Sequence, residues 1–134
     1  MKKSSAWGLI EKDGKFLFIK RSKNTSRSGQ WCPPGGGVKE LETPEAACLR
    51  EVKEEVGLAV QTKSLIRKDE SFYYFHCFML NESDEIVLKL NECEAYEWVS
   101  IPDVLKLGPI MELKRMLRIF RDMGFIIEEP ENER

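Results

Sequence analysis

Residues 35–58 read GGGVKELETPEAACLREVKEEVGL, and this stretch carries the most diagnostic local signals in the chain. Thr43 is a favourable helix N-cap, and Pro44 suits the first helical position, where its missing N–H is not needed. Gly57 can adopt the left-handed conformation that commonly follows the last turn of a helix. We therefore predict a helix over residues 44–56, with both of its ends encoded locally.

The segment before this helix, WCPPGGGVKELE at residues 31–42, is predicted to form an irregular loop. Its prolines lack backbone donors, and its three consecutive glycines leave the main chain able to approach a ligand closely. The loop can therefore bring backbone carbonyls and amides to the side of the helix.

One face of the predicted helix is acidic, because Glu51, Glu54 and Glu55 fall within about a third of its circumference. Its apolar residues occupy another sector: Cys48, Leu49, Val52 and Val56. Periodicity alone favours a solvated face, since glutamate is a good helix former. Repulsion among the carboxylates favours a cation site instead, because only Arg50 lies nearby and Lys53 is expected to point away. Carboxylate and carbonyl oxygens suit Mg²⁺ or Mn²⁺, so both interpretations stay open at this point.

Outside this stretch, the pattern predicts a sheet with a second helix. Asp13-Gly14 between apolar runs indicates a hairpin, and residues 58–66, 71–80, 85–90 and 96–101 are predicted strands. Residues 71–80 are apolar at both parities, as in a strand covered on both faces. Ile110, Leu113, Leu117 and Phe120 have helical spacing within residues 109–125. The fold class is therefore an α/β or α+β sandwich.

Length and composition indicate one domain. The chain has 134 residues, and we predict a single domain over residues 1–127, followed by a disordered acidic tail over residues 128–134. No apolar run is long enough for a signal peptide or a membrane span, so a cytoplasmic location is expected. The four cysteines form no C-x-x-C pair. This argues against a zinc or redox site, and we expect them to be buried.

Charge is unevenly distributed along the chain. Residues 1–34 carry eight lysines and arginines against two acidic residues, a balance of +6, while the whole chain has a net charge of −2. This excess fits either a solvated hairpin or a basic rim that attracts polyphosphate. Lys20 and Arg21, at the end of the second strand, are candidate clamps for such a substrate, and an exposed strand end is the alternative.

Taken together, Gly36-x5-Glu42-x7-Arg50-Glu51-Val52-x-Glu54-Glu55-x-Gly57-Leu58 resembles the complete signature of the Nudix hydrolases. The resemblance implies an α/β/α sandwich with a mixed β-sheet, in which the signature forms a loop, a helix and a loop. One position departs from many members of the family: Leu41 stands where they have glycine, which bears on the local loop conformation.

The resemblance also implies roles for individual residues. Arg50 would orient a glutamate through a salt bridge, and Glu42 would support the site from the loop. Glu92 would be a further metal ligand or base, with Glu94 as its rival, because ECEAYEWV at residues 92–99 resembles a segment with that role. The implied ligands of Mg²⁺, or of Mn²⁺, are the Gly35 carbonyl and the carboxylates of Glu51, Glu54, Glu55 and Glu92.

The implied reaction is hydrolysis of a phosphoanhydride bond in a nucleotide polyphosphate, with Glu51 as base and Glu92 as second choice. Nucleoside triphosphates, ordinary or oxidised, are the first expectation for the substrate. Triphosphorylated 5′ ends of RNA are the alternative, and a non-catalytic nucleotide sensor is a third class. His76 is expected to be a hydrogen-bonded interior or pocket residue rather than a base. Strand aromatics such as Trp7 and Tyr74 could stack on a base, but we expect them to belong to the core and list none as a site.

Overall fold

The computed structural model describes residues 3–129, and a mixed β-sheet forms its centre. The strands are β1 (Ser5–Lys12), β2 (Lys15–Arg21), β3 (Trp31–Cys32), β4 (Gly35–Gly37), β5 (Val60–Asp69), β6 (Phe72–Met79) and β7 (Cys93–Val99). The helices are α1 (Pro44–Val56), a 3₁₀ helix (Ile101–Leu107) and α2 (Leu113–Asp122).

Strand β1 lies in the middle of the sheet, whose order is β3-β2-β1-β6-β5. It pairs in parallel with β6 and antiparallel with β2 and β4. Strand β7 pairs antiparallel with β2, and β5 pairs antiparallel with β6. The β1–β2 connection is the expected hairpin, because Asp13 and Gly14 have φ angles of 53° and 77°, as a tight turn requires.

Helix α1 begins and ends where the sequence predicts. The Thr43 side chain accepts a hydrogen bond from the Ala46 amide, and Pro44 occupies the first turn. Gly57 has a φ angle of 76°, and its amide donates to the Lys53 carbonyl. Local sequence therefore fixes the boundaries of the acidic helix.

The sheet separates two hydrophobic clusters. One contains the buried face of α1, with Cys48, Val52 and Val56, together with Ile10 and Cys77 from the sheet. The other contains α2 and the 3₁₀ helix, packed on sheet residues that include Leu9, Phe18 and Tyr74. Strand β6 contributes to both clusters, as its apolar residues at both parities predict. The α/β/α sandwich with a mixed sheet is confirmed.

The predicted strand over residues 85–90 is wrong. Residues 85–89 have no regular structure and cross the carboxyl end of α1, where the Val87 and Lys89 amides donate to the carbonyls of Val56 and Glu55. The last carbonyls of a helix have no partner within it, and this segment supplies their donors. Its alternating apolar residues therefore cover a helix end instead of joining the sheet.

The prediction of an irregular glycine-rich loop is also partly wrong, since the segment contains β3 and β4. Gly35, Gly36 and Gly37 pair with Trp7, Ala6 and Ser5 of β1. A Cβ atom on Gly35 would lie 2.3 Å from the Ala6 carbonyl oxygen. Only a chain without a side chain can approach β1 this closely, which is why glycines form this strand.

The second helix starts later than its apolar spacing indicates. Ile110 forms a β-bridge with Trp31, and Glu112 has a φ angle of 54°, so α2 begins at Leu113. Phe120 is fully buried, and its ring lies 6.2 Å from that of Phe18 in an edge-on arrangement. The helix packs on the sheet as expected.

All four cysteines are buried, as predicted. Within residues 3–129, no helix is both long and apolar enough to cross a membrane. Of the predicted disordered tail, Glu128 and Glu129 have no regular secondary structure, and residues 130–134 lie outside the described residues.

Candidate active site

The glycine strand β4 lies directly against the acidic face of α1. A Cβ atom on Gly36 would lie 2.6 to 2.9 Å from the carboxylate atoms of Glu51. The Gly35 amide donates a hydrogen bond of 3.1 Å to Oε1 of Glu55. The structure therefore brings the backbone of the loop to two of the three helix carboxylates.

Arg50 connects the loop to the helix. Its Nε and Nη2 donate to the two oxygens of Glu42 at 2.7 and 2.9 Å, and Nη2 also donates to the Gly37 carbonyl at 2.9 Å. Its Nη1 reaches Glu51 at 2.9 Å and Glu54 at 3.3 Å. A guanidinium is planar and carries five donors, so one side chain can hold all of these acceptors in fixed geometry.

The bidentate pair of Arg50 and Glu42 shifts the pKa values of both side chains. Hydrogen bonds from Arg50 and from the Lys39 amide lower the pKa of Glu42 to about 2. The carboxylates of Glu42 and Glu51 in turn raise the pKa of Arg50. Glu42 is thus an anion at any working pH, and it positions Arg50 from the loop side.

Glu55 differs from its neighbours because it is buried. It is 6% exposed, whereas the Glu54 side chain is 45% exposed. Burial raises the pKa of Glu55 to about 8, the Gly35 hydrogen bond opposes this rise, and the nearby charges of Glu51 and Glu92 add to it. A buried carboxylate beside other carboxylates fits a site that receives a cation.

Glu92 follows residues 85–89, the segment that crosses the carboxyl end of α1. Its carboxylate lies 2.9 Å from the Lys89 amine, its carbonyl accepts from the Ser22 amide, and its charge acts on the pKa of Glu55. Its rival, Glu94, instead lies 3.5 Å from the amine of Lys20. The structure therefore associates Glu92, and not Glu94, with the helix carboxylates.

The two candidate clamps differ in position. Lys20 is paired with Glu94 at the surface. Arg21 donates to the Ser26 carbonyl at 2.7 Å, and its charge lowers the pKa of Glu55, which places it on the site side of β2. Of the two, Arg21 is the one close to the carboxylates.

The donor set fits a hard divalent cation in chemistry, being carboxylate and carbonyl oxygen. Among residues 3–129, no three acidic, histidine or cysteine side chains already surround one point closely enough to hold an ion. The hydrogen bonds explain this spacing: Arg50 draws Glu51 and Glu54 to itself, while the Gly35 amide holds Glu55.

A cavity of about 240 Å³ opens beside the glycine strand. Residues from β1, β2, β6, α2 and two loops line it, including Trp7, Arg21, Arg27, Phe72, Glu112 and Arg115. Trp7 pairs with Gly35 in the sheet, and the charge of Arg21 acts on the pKa of Glu55. Two of its lining residues, Trp7 and Arg21, therefore link the cavity to the glycine strand and to Glu55.

Arg115 is a residue of this cavity that the sequence did not indicate. Its guanidinium lies 3.7 Å above the ring centroid of Phe72, and its Nε is buried without a hydrogen-bond partner among residues 3–129. The Asp69 carboxylate lies 3.6 Å from this Nε, and the Glu112 carboxylate lies 3.7 Å from Nη1. A partly buried guanidinium that lines a cavity and has an unused donor can bind a ligand acceptor. No local pattern marks it, because its surroundings come from three separate elements.

His76 lies away from this site, consistent with the expectation that it is not its base. The Nε2 atom of His76 and Oε1 of Glu11 are 2.7 Å apart, and both residues line a different cavity.

Comparison with known proteins agrees with the signature. The NUDIX domain family model matches residues 2–120. Nucleoside triphosphatase NudI of Escherichia coli is 27% identical over 128 residues, which cover 83% of this chain and 91% of NudI. An ADP-ribose pyrophosphatase of Methanocaldococcus jannaschii is 52% identical over 59 residues, but these cover 44% of this chain and only 34% of that protein. The crystal structure of an ADP-ribose pyrophosphatase from Streptococcus suis shares the fold, with a TM-score of 0.70, 20% identity and 92% of each chain covered.

Proposed function

This chain belongs to the Nudix hydrolase family, and on that premise we propose that it is a divalent-cation-dependent pyrophosphohydrolase of nucleoside triphosphates. The observation that carries the proposal is the contact of the glycine strand with Glu51 and Glu55 on the acidic face of α1. A triphosphate has several closely spaced anionic oxygens, and cations held by such a face can bind them.

The residues proposed to hold Mg²⁺, or Mn²⁺, are Glu51, Glu54, Glu55 and Glu92, with the Gly35 carbonyl as a backbone ligand. When bound, the cation supplies charge neutralisation for the phosphates and lowers the pKa of bound water.

Glu51 is the proposed general base, which accepts a proton from the attacking water through its carboxylate. Its position suits this role, because Arg50 holds Oε2 at 2.9 Å and Gly36 leaves room for the carboxylate. Glu42 accepts two hydrogen bonds from Arg50 and so anchors the guanidinium that positions Glu51. Glu92 is the second choice, since it approaches the same carboxylates from another segment.

The nucleoside is proposed to occupy the 240 Å³ cavity. The Trp7 and Phe72 rings can pack against a nucleobase, and the unused donor of Arg115 can donate a hydrogen bond to an acceptor on that base. The match to NudI spans most of both proteins, whereas the match to the Methanocaldococcus jannaschii ADP-ribose pyrophosphatase covers only a third of that protein. This difference favours a nucleoside triphosphate over ADP-ribose as the substrate.

Turnover of a substrate panel tests the reaction and the base together. With Mg²⁺ present, we expect nucleoside triphosphates to give the highest kcat/KM, and Glu51→Gln to lower it by at least about a hundredfold. Glu97→Gln, at an exposed position of β7, removes the same charge elsewhere and is expected to leave kcat/KM unchanged. Full activity of a folded Glu51→Gln variant would remove Glu51 from catalysis.

The same panel separates the alternatives. ADP-ribose and 5′-triphosphorylated RNA are included, and a higher kcat/KM for either would replace the proposed substrate. Absence of turnover with every member, together with binding of a nucleotide, would favour a non-catalytic sensor.

Arg115→Met tests the nucleoside cavity. Loss of the guanidinium is expected to raise KM for the preferred triphosphate at least about tenfold, since a hydrogen bond from a charged group is lost. Arg121→Met removes an exposed arginine of the same helix and is the matched control. Equal KM values for the two variants would show that the nucleoside binds elsewhere.

A further inference from the structure

A second cavity, of about 470 Å³, lies at the other end of α2 from the proposed nucleoside cavity. Arg115 near the start of α2 lines the first cavity, whereas Asp122 and Met123 at its end line the second. Arg115 and Asp122 lie seven residues apart in α2, a separation of about 10 Å along the helix. No residue of the carboxylate site lines the second cavity, and the acidic helix α1 packs on the opposite face of the sheet from α2.

The polar floor of this cavity is the pair formed by Glu11 of β1 and His76 of β6, whose Oε1 and Nε2 atoms lie 2.7 Å apart. Their side chains are 30% and 19% exposed, so both are partly shielded and still accessible. Among residues 3–129, Glu11 is the only side chain that hydrogen-bonds the imidazole. The pair therefore has hydrogen-bonding capacity left, at the second ring nitrogen and the second carboxylate oxygen.

The surroundings of this pair are aromatic. The ring centroids of Phe16 and Phe78 lie 5.8 and 4.9 Å from that of His76, and Phe125 lines the cavity from the chain beyond α2. These distances are contacts within the protein, and the two phenylalanines that line the cavity itself, Phe16 and Phe125, can accept a planar ring by offset or edge-on stacking. The volume is within the range of small-molecule sites, about 300–1,000 Å³.

Charge limits the class of ligand. The lining contains two carboxylates, of Glu11 and Asp122, and neither lysine nor arginine. Asp122 is already paired with Arg67, whereas His76 is the one ion-pair partner of Glu11 in the described part of the chain. The last carbonyls of α2, which carry partial negative charge, point to the same end of the helix. An anionic phosphate is disfavoured here, and a neutral or cationic donor is favoured.

We infer that Glu11 and His76 form the floor of a second ligand site, which takes a small aromatic ligand bearing N–H donors and no phosphate group. A nucleobase, an unphosphorylated nucleoside or an aromatic amidine has this chemistry. The ring lies beside Phe16 and Phe125, and its N–H groups donate to the Glu11 carboxylate. The site is independent of the proposed hydrolysis.

The chain has one histidine, so the imidazole signals of tag-free protein in an NMR spectrum report on this cavity alone. The probes are benzamidine, cytidine, guanosine and guanosine 5′-monophosphate, titrated at neutral pH without divalent cations. We expect saturable shifts of the His76 ring signals for benzamidine or a nucleoside, with a Kd below about 1 mM. Guanosine 5′-monophosphate is expected to bind at least about tenfold more weakly than guanosine.

Two variants give independent controls. Glu11→Gln removes the charge and is expected to weaken binding at least about tenfold. Ser64→Phe adds a ring opposite His76, with which Ser64 pairs in the sheet, and is expected to abolish binding by filling the cavity. Glu51→Gln is expected to leave the shifts unchanged. Shifts that do not saturate, that persist in Ser64→Phe or that are stronger for the monophosphate would overturn the proposal.

Discussion

At the scale of single residues, the three glutamates of the acidic face are equivalent in sequence and different in structure. Their helical spacing predicts a shared face, and the structure brings Glu51 and Glu54 to one guanidinium. Glu55 is instead buried, like Val52 and Val56 of the same helix. Periodicity does not distinguish the buried carboxylate from the exposed one, because the difference depends on the strand and the segment that cover Glu55.

The burial of Glu55 makes stability depend on pH in a defined direction. Its pKa is about 8 in the folded protein against 4.5 as the ordinary value, so the folded state binds a proton more tightly than the unfolded state. The favourable contribution is complete below pH 4.5 and is lost as pH rises through about 8. Without a cation, the wild-type fold should therefore weaken across this window.

Glu55→Gln removes this dependence, because an amide stays neutral and its oxygen can still accept the Gly35 hydrogen bond. In EDTA at about pH 8.5, we expect the variant to exceed the wild type in free energy of unfolding by about 2–4 kcal/mol, and to equal it near pH 4.5. Urea denaturation at both pH values measures the difference, with Glu97→Gln as the surface control. A gain of equal size at both pH values would contradict a raised pKa of Glu55 in the folded protein.

At the scale of elements, the sequence encodes α1 completely and the segments beside it incompletely. The helix boundaries follow from Thr43, Pro44 and Gly57, which act on their immediate neighbours. The glycine strand and residues 85–89 take their structure from partners far along the chain, namely β1 and the end of α1. A glycine run that reads as a loop becomes a strand because β1 offers it hydrogen bonds at a distance that a side chain would prevent.

Gly36→Ala tests whether this close approach serves catalysis. The added methyl group would lie 2.6 to 2.9 Å from the Glu51 carboxylate atoms, so Glu51 has to move. Because a displacement of about 1 Å can cost a hundredfold in rate, we expect kcat to fall by about that factor with substrate turnover as the readout.

Gly37→Ala is the matched control for this substitution. Nothing lies within 4 Å of a Cβ atom on Gly37, and the carbonyl that accepts from Arg50 is retained. It should keep wild-type kcat, and the two variants should have similar melting temperatures. Equal kcat values for both alanine variants would mean that the position of Glu51 against β4 is not needed for the reaction.

At the scale of the whole molecule, the sandwich was predictable because β6 is apolar at both parities and two helices remain to cover the sheet. The cavities were not predictable. Arg115, Phe72 and Trp7 belong to α2, β6 and β1, and only the parallel pairing of β1 with β6 brings the last two together. Residues that meet through tertiary packing have no regular spacing in the sequence that could mark them. The glutamates of the acidic face lie within one helix, so their helical spacing does mark them.

The predicted single domain implies that both faces of the sheet unfold together. Leu58 and Phe120 are fully buried in the clusters on opposite faces. Leu58→Ala is expected to lower the free energy of unfolding by about 2–5 kcal/mol, and Phe120→Ala by about 3–5 kcal/mol. Arg121→Ala, on the exposed side of α2, should change it by less than about 0.5 kcal/mol.

Because β1, β2 and β6 contribute to both clusters, tryptophan fluorescence and far-UV circular dichroism should give coincident urea transitions in each variant. Transitions that separate in Phe120→Ala alone would mean that the α2 face unfolds independently, and that the two layers are not one cooperative unit.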